Sequence, residues 1–234
     1  MKNIVKNFLF ITALLATSPV FCQQQPAQPT ANVDPKAKAD DELGKKAAEW
    51  ISSLNLNDAD KEKRLAEVVA THLKAIRDWH NEHPASTVPA GINLLTGKLL
   101  SDLDRQVIAD SAIPKSVHQD LMTGLGKDLD KKQVDAVLDN YTIGKVAFTM
   151  AGYKSIVPNL TAQEEATILG YLEQAREQAV DYKNMKEISV IFEIYKTKSE
   201  QYLNANGRNW REMYSAYTAA VKAKKAAEKK QATN

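Results

Sequence analysis

The sequence predicts an all-α protein, a single-domain helical bundle of about seven helices. Two observations lead to this prediction. Apolar residues recur at three- and four-residue spacing in several long segments, which places one apolar stripe along each helix. No segment shows the alternation of apolar and polar residues that is typical of a half-buried strand. Because each amphipathic helix needs neighbours to cover its stripe, we expect the helices to pack around a shared core.

The N-terminus is predicted to be an export signal over residues 1–22. Lys2 and Lys6 precede the apolar run 8–15, and a polar, proline-containing stretch follows, which is the order of regions in a signal peptide. The apolar run is too short to span a bilayer. Cys22 leaves two alternatives open. Cleavage after Cys22 places the protein in the periplasm or cell envelope, whereas lipidation of Cys22 would anchor it, although the bulky Phe21 argues against lipidation.

Three further segments complete the predicted organisation. Residues 23–39 are rich in Gln, Ala and Pro without apolar periodicity, which predicts a disordered leader. The helical domain is predicted to span residues 40–221. Residues 222–234 form a Lys-rich tail. Two interpretations of the tail stay open: anchorage to an anionic lipid or glycan, or a solvated helix end whose cations suit the negative end of the helix dipole.

The clearest helical stripes lie in three segments. One begins near Asn57 and is ended by Pro84, another lies between residues 161 and 180, and the third begins at Asn184. The first carries the stripe Leu65, Val68, Val69, Leu73, Ile76 and Trp79. This spacing predicts one buried face on each helix.

Three helix starts share a capping pattern. Asn57, Asp130 and Thr161 each follow a Leu and precede an acid or amide three positions later, as in a capping box. The sequence pattern at these helix starts also resembles the L-T-x-x-Q motif of stress-induced periplasmic chaperones. Helix capping explains the same pattern without shared ancestry. Further boundaries are predicted at Gly91, Gly97, Pro114, Gly124, Gly126 and Gly207.

Composition and motifs exclude several function classes. The formal net charge is +2, and because residues 1–22 hold two lysines and no acid, the rest of the chain is neutral. Nucleic acid is therefore not a predicted partner. A single cysteine excludes a disulfide framework and a cysteine-based zinc site, since both need at least two thiols. No nucleophile elbow, phosphate loop or dinucleotide fingerprint occurs.

The histidines do not predict a metal site. Such a site would join His80 and His83, with or without Asp78. His83 adjoins Pro84 at the helix end, and no glutamate is placed as in a zinc-protease helix. His72 lies on the apolar stripe and is predicted to be a hydrogen-bonded core imidazole. We therefore predict no metal and no cofactor.

The least ordinary stretch is 140–152, which is apolar on nearly every face and holds one charge, Lys145. This pattern predicts a central buried helix. Lys145 is either a ligand-binding cation at the base of a pocket or a member of a structural ion pair.

Aromatic residues are also unevenly distributed. All eight tyrosines follow residue 140, and Trp210 lies in a turn with Arg208 and Asn209. Aromatic faces together with amide and guanidinium donors are suited to sugars, although the turn could equally pack a helix junction. The predicted pocket combines the helix from Tyr141 to Phe148, the helix of Arg176 and this turn. Its candidate residues are Tyr141, Lys145, Arg176, Glu177, Asp181, Arg208, Asn209 and Trp210.

Part of the chain looks familiar. The familiar segments are 133–135, 139–149 (Asp-Asn-Tyr-Thr-Ile-Gly-Lys-Val-Ala-Phe-Thr), 156–158, 175–179, 191–193, 195–196 and 202–204. They resemble an uncharacterised family of exported helical proteins from Bacteroidota, a domain of unknown function. Its members tend to accompany polysaccharide-degradation genes and are sometimes labelled sugar-binding. The resemblance covers nearly the whole mature chain and implies export, one helical domain and, by association, sugar binding.

The sequence thus predicts an exported module that binds a carbohydrate or another small polar ligand, with no enzymatic step assigned. One alternative is a glycan-active hydrolase or lyase that uses Asp139, Glu177 or Asp181 together with Lys145 or a tyrosine. The other is a periplasmic chaperone-like protein with exposed apolar patches.

Overall fold

The computed structural model describes residues 34–94 and 96–231. In this part of the chain the secondary structure consists of nine α-helices, one 3-10 turn at Ala85–Thr87 and one isolated β-bridge between Ile92 and Leu99, with no strand. The helices are α1 Pro35–Ser52, α2 Ala59–Glu82, α3 Asp102–Asp110, α4 Lys115–Gly126, α5 Lys131–Thr142, α6 Lys145–Ile156, α7 Ala162–Ala179, α8 Met185–Ala205 and α9 Trp210–Gln231. The all-α class is confirmed, and the predicted number of about seven helices is too low.

The structure describes only part of the predicted terminal segments. The predicted signal, 1–22, and most of the predicted leader lie outside the described residues. Helix α1 begins at Pro35, inside the range assigned to the leader, and proline is well suited to the first turn of a helix. Helix α9 continues through the Lys-rich stretch to Gln231. Among the helices of residues 34–231, none combines the length and apolar character needed to cross a bilayer.

The predicted caps are confirmed at two of three helix starts. Asp130 and Thr161 accept hydrogen bonds from the backbone N–H groups of Gln133 and Glu164, and both form complete capping boxes. At α2 the cap is Asp58 rather than Asn57, because the Asp58 side chain accepts from Lys61 N at 2.9 Å.

The prediction of one central buried helix over 140–152 is wrong. Helix α5 ends and α6 begins around Ile143 and Gly144, whose φ angles of 53° and 63° place both in the left-handed region. Only Val146, Met150 and Tyr153 of α6 are buried. Phe148 is 79% exposed, because α6 lies at the periphery and covers the core with one face alone.

The buried side chains form two hydrophobic clusters. The first is built mainly by α1, α2, α4 and α5 and includes Ile51, Leu65 and Leu125. The second is built mainly by α6, α7 and α8 and includes Tyr153 and Phe192. Helix α9 has no buried residue of its own and packs against α6 and α8. The second cluster and α9 together position the cavity described next.

Gly124 was predicted as a helix boundary but lies inside α4. A Cβ at this position would lie 2.7 Å from Cγ1 of Val68. The glycine therefore permits close approach of α4 to α2, which a larger residue would prevent.

Candidate functional site

A cavity of about 770 Å³ lies between α6, α8 and α9 and is called here the aromatic cavity. Aromatic rings provide much of its wall: Phe148, Tyr153, Phe192, Trp210, Tyr214 and Tyr217. Its volume is within the range of small-molecule sites.

The rings of the aromatic cavity are ordered by mutual stacking. Trp210 and Tyr214 lie one turn apart on α9, with ring centroids 5.9 Å apart and an interplanar angle of 24°. Tyr153 also packs on Trp210, with ring centroids 5.2 Å apart and an interplanar angle of 42°. The Tyr153 hydroxyl donates to the carbonyl oxygen of Lys196 at 3.1 Å, and burial raises the pKa of Tyr153. Trp210 therefore contacts one buried ring, Tyr153, and one half-exposed ring, Tyr214.

Charged groups surround the rings. The Lys145 ammonium lies 5.5 Å from the centroid of the Phe192 ring, and no carboxylate of residues 34–94 or 96–231 forms an ion pair with it. Lys196 Nζ lies 2.8 Å from Glu193 Oε1. Burial raises the pKa of Glu200, and the Glu193 charge adds to this effect while Lys196 opposes it. The cavity thus offers both donors and acceptors beside its ring faces.

The eight predicted ligand residues do not share one cavity. Lys145 and Trp210 both line the aromatic cavity. Glu177 and Asp181 line a different cavity. The third wall of the aromatic cavity is α8, whereas the sequence had assigned the helix of Arg176, which is α7.

Two of the predicted residues, Arg176 and Tyr141, are held by contacts within the protein. Arg176 is 5% exposed and pairs with Asp135 at 2.5 Å and Asp139 at 2.9 Å. Tyr141 is 7% exposed in the first cluster, where its ring packs on Trp50 at 4.9 Å. Ion pairs with α5 thus hold Arg176, and packing against α1 holds Tyr141.

The turn before α9 has a structural role as well. Arg208 donates from Nε and Nη2 to the two carboxylate oxygens of Glu164 at 2.9 and 2.8 Å. Its Nη1 and Nη2 also donate to Asn159, at 2.9 Å each. Asn209 accepts from the backbone N–H of Glu212 at 3.2 Å and so caps α9. Only Trp210 of this turn faces the aromatic cavity.

A second cavity, of about 520 Å³, is lined by titratable side chains and is called here the histidine cavity. Its titratable residues are Asp110, Lys115, His118, Glu177, Asp181, Tyr182 and Tyr195. His118 Nδ1 lies 3.0 Å from Asp181 Oδ2, and His118 Nε2 lies 3.8 Å from Glu177 Oε1. The hydrogen bond with Asp181 raises the pKa of His118. This arrangement places an imidazole, whose protonated form is favoured by Asp181, beside two carboxylates.

Asp181 is held from its other side by His72. His72 is 2% exposed, and its Nε2 lies 3.1 Å from Asp181 Oδ1, which confirms the predicted hydrogen-bonded core imidazole. Burial alone would raise the pKa of Asp181, but hydrogen bonds to His118 and His72 lower it. Burial and the nearby carboxylates raise the pKa of Tyr182 to about 12.

A third group of titratable residues consists of His80, Asp110 and Glu187, called here the triad. His80 Nδ1 lies 2.8 Å from Asp110 Oδ2 and 3.6 Å from Glu187 Oε1. Burial, reinforced by the Asp110 charge and opposed by His80, raises the pKa of Glu187. The sequence did not indicate this group, because the three residues come from α2, α3 and α8 and no local spacing relates them.

Sequence reasoning also missed part of the aromatic cavity. Tyr214 and Tyr217 were not among the candidate residues, and Phe148 was included only as the end of the helix assigned to the pocket. A signal was present: α9 repeats aromatic residues at positions 210, 214 and 217, a spacing that places them on one helix face.

The chain matches a protein-family model. The matching family is described as "Protein of unknown function (DUF3826)", and the match extends over residues 41–223. This confirms the resemblance to a domain of unknown function. No curated protein sequence matches the chain. With more than half of its length matched, the chain belongs to the DUF3826 family of proteins of unknown function.

Proposed function

We propose that this protein binds a carbohydrate in the aromatic cavity. The observation that carries the proposal is the exposure of ring faces around one cavity: Phe148 is 79% exposed and Tyr214 is 49% exposed, and Trp210 lies beside Tyr214. Single exposed apolar residues are ordinary on a protein surface. Several aromatic residues that line the same cavity instead mark a surface that a ligand would cover.

The chemistry of the cavity matches that of a sugar. A pyranose ring has apolar C–H faces, which stack on aromatic rings, and hydroxyl groups around its edge, which need donors and acceptors. Lys145 and Lys196 can donate, and Glu193 and Glu200 can accept. Covering the exposed Phe148 side chain would contribute about 1.5–3 kcal/mol, which makes this residue the main expected source of affinity.

Lys145 is expected to contribute differently to the binding of acidic and neutral sugars. Its ammonium has no ion-pair partner in the described part of the chain, so an acidic sugar would gain a charge-assisted hydrogen bond there. A neutral sugar would depend on the rings instead. The resemblance of residues 129–217 to proteins that accompany polysaccharide-degradation genes favours oligosaccharides, and an associated role in polysaccharide utilisation, over monosaccharides.

A thermal-shift screen tests the proposal. Neutral oligosaccharides and uronic-acid oligosaccharides are added at millimolar concentration to the protein that lacks residues 1–22. A ligand present at 100 times its dissociation constant stabilises the folded state by about 2.7 kcal/mol, which gives a clear rise in Tm. Lys145→Ala is expected to reduce the rise for acidic sugars and to leave it unchanged for neutral ones. The absence of a rise with every sugar would contradict the proposal.

We also propose that the protein is exported to the periplasm or cell envelope, since residues 1–22 have the order of regions of a signal peptide. Mass spectrometry of the protein from its native cells tests this. A mature chain that begins at Gln23 supports cleavage, and a lipid-modified Cys22 supports the anchored alternative. Retention of residues 1–22 would contradict export.

A second candidate function is favoured by the histidine cavity, where His118 contacts Asp181 and Glu177. An imidazole that contacts two carboxylates is suited to general acid–base catalysis, as in a glycan-active hydrolase or lyase. Turnover of polysaccharides is the test. Activity that Glu177→Gln abolishes, while the control Glu173→Gln on the same helix retains it, would support catalysis. The absence of turnover, or full activity of both variants, would contradict it.

A further inference from the structure

We infer that the triad of His80, Asp110 and Glu187 is a binding site for a divalent transition-metal ion such as Zn²⁺. One ligand atom from each residue lies within 4.8 Å of the other two. The three residues belong to α2, α3 and α8, so a bound ion would join three helices that are distant in sequence.

The distances between the ligand atoms fit such an ion. Two ligands that each lie about 2.1 Å from a tetrahedral Zn²⁺ are about 3.4 Å apart. The observed separations from His80 Nδ1 are 2.8 Å to Asp110 and 3.6 Å to Glu187. Small side-chain movements would therefore complete the coordination without a change of helix positions.

The charge of the site also favours binding of a cation. Asp110 and Glu187 are each 2% exposed. Among the described residues, His80 is the partner in the only ion pair of either carboxylate. When both carboxylates are ionised, the site keeps a net negative charge even if His80 is protonated, and an uncompensated buried charge is unfavourable. A divalent cation with neutral His80 makes the site neutral.

Neighbouring side chains hold the ligands in place. Gln106 Nε2 donates to the second Asp110 oxygen, Oδ1, at 3.0 Å and also to the carbonyl oxygen of His83 at 3.0 Å. Asn184 Nδ2 donates to Glu187 Oε1 at 2.5 Å. Such outer contacts orient metal ligands in known sites.

The ligand types select among metals. One imidazole nitrogen and two carboxylate oxygens suit Zn²⁺ and related first-row ions. Mg²⁺ and Ca²⁺ prefer oxygen ligands in larger number. We therefore expect Zn²⁺ to bind at least tenfold more tightly than either of them.

Calorimetry with ZnCl₂ tests the inference, on full-length mature protein without a histidine tag and after removal of metal by a chelator. The wild type is expected to bind one equivalent of Zn²⁺. His80→Gln and Asp110→Asn are expected to weaken binding at least tenfold. The control is His83→Gln, since His83 lies one turn away and its Nδ1 is bonded to the Trp79 carbonyl oxygen at 2.9 Å; it should bind as the wild type does.

A second measurement uses the wild type alone, so it does not depend on whether the variants fold. Crystals of the wild type soaked in ZnCl₂ are expected to show anomalous scattering among His80 Nδ1, Asp110 Oδ2 and Glu187 Oε1. No saturable Zn²⁺ binding, a peak at another position, or equal loss of affinity in His83→Gln would each overturn the inference.

Discussion

At the residue scale, Arg208 and Glu164 tie the turn before α9 to the first turn of α7. The two hydrogen bonds from the guanidinium, together with bonds from Thr161, lower the pKa of Glu164 to about 2. A carboxyl group whose pKa is lowered by folding stabilises the folded state above its ordinary pKa, and this stabilisation is lost as the pH falls through the folded-state pKa. The contribution is therefore present at neutral pH and disappears near pH 2.

Arg208→Ala is expected to lower the free energy of unfolding at pH 7 by about 1.5–3 kcal/mol, since hydrogen bonds to a charged group are lost. The difference from wild type should shrink as the pH approaches 2, because Glu164 is then protonated in the unfolded chain and begins to be protonated in the folded wild type. Urea unfolding at pH 7 and pH 2.5 measures this. Arg211→Ala, at an exposed position of α9, is the control; an equal effect of both variants would contradict the structural role of Arg208.

Ile143 provides a second prediction at this scale. It is a β-branched residue in the left-handed region, with φ of 53°, and its side chain is 72% exposed. Asparagine tolerates this conformation better, so Ile143→Asn is expected to raise the free energy of unfolding by about 1 kcal/mol. The control Ile194→Asn, at an exposed helical position, should not raise it. Denaturant unfolding of both variants decides between relief of strain and a general benefit of removing an exposed Ile.

At the element scale, the approach of α4 to α2 depends on Gly124. A methyl group there would meet Val68 at 2.7 and 2.9 Å, so Gly124→Ala is expected to lower the free energy of unfolding by about 1–3 kcal/mol. Gly126→Ala on the same helix is the matched control, since a Cβ there has nothing within 4 Å. Its unfolding free energy should be unchanged or slightly higher. Similar losses in the two variants would contradict the packing argument.

Elements with a strong apolar stripe could be predicted from the sequence. Helices α2, α7 and α8 lie where their stripes placed them, and the caps Asp130 and Thr161 were recognised because capping is a local property. The break at Ile143 was missed because only Gly144 signals a left-handed residue, whereas isoleucine rarely adopts that conformation. Exposure of Phe148 could not be predicted either, since it depends on which helices leave α6 uncovered.

The candidate site was predictable to a smaller extent. Lys145 and Trp210 line one cavity, and both were selected for unusual residue chemistry. Arg176 and Arg208 were selected for the same reason, but their partners Asp139 and Glu164 lie 37 and 44 residues away. No local pattern shows that such a guanidinium is already paired. The sequence therefore indicates which side chains are chemically capable, and the fold decides which of them remain available.

At the scale of the whole molecule, polar side chains join the two hydrophobic clusters. His72 and His118, on α2 and α4, hold Asp181 after α7. The raised pKa of His118 means that its contribution to stability is present below pH 6.5 and is lost as the pH rises through the folded-state value. The lowered pKa of Asp181 means that its contribution is present above pH 3.8 and is lost as the pH falls.

The free energy of unfolding is therefore expected to be highest between about pH 4 and pH 6.5 as far as this contact is concerned. In Asp181→Asn the free energy of unfolding should decrease less between pH 5.5 and pH 8.5 than in the wild type. Asp181 is the main cause of the raised pKa of His118. Because Glu177 also faces His118, the variant should keep a small pH dependence of the free energy of unfolding. Urea unfolding of wild type and variant at these two pH values measures the effect, and an unchanged slope in the variant would contradict it.

The central claim is that the aromatic cavity binds a carbohydrate, and titration calorimetry of Phe148→Ala tests it most directly. The oligosaccharide that stabilises the wild type most is titrated into wild type, Phe148→Ala and the control Leu99→Ala, whose side chain has a similar exposure of 77%. The account predicts saturable binding by the wild type, at least tenfold weaker binding by Phe148→Ala and no change in Leu99→Ala. Failure of the wild type to bind, or wild-type affinity in Phe148→Ala, would contradict it.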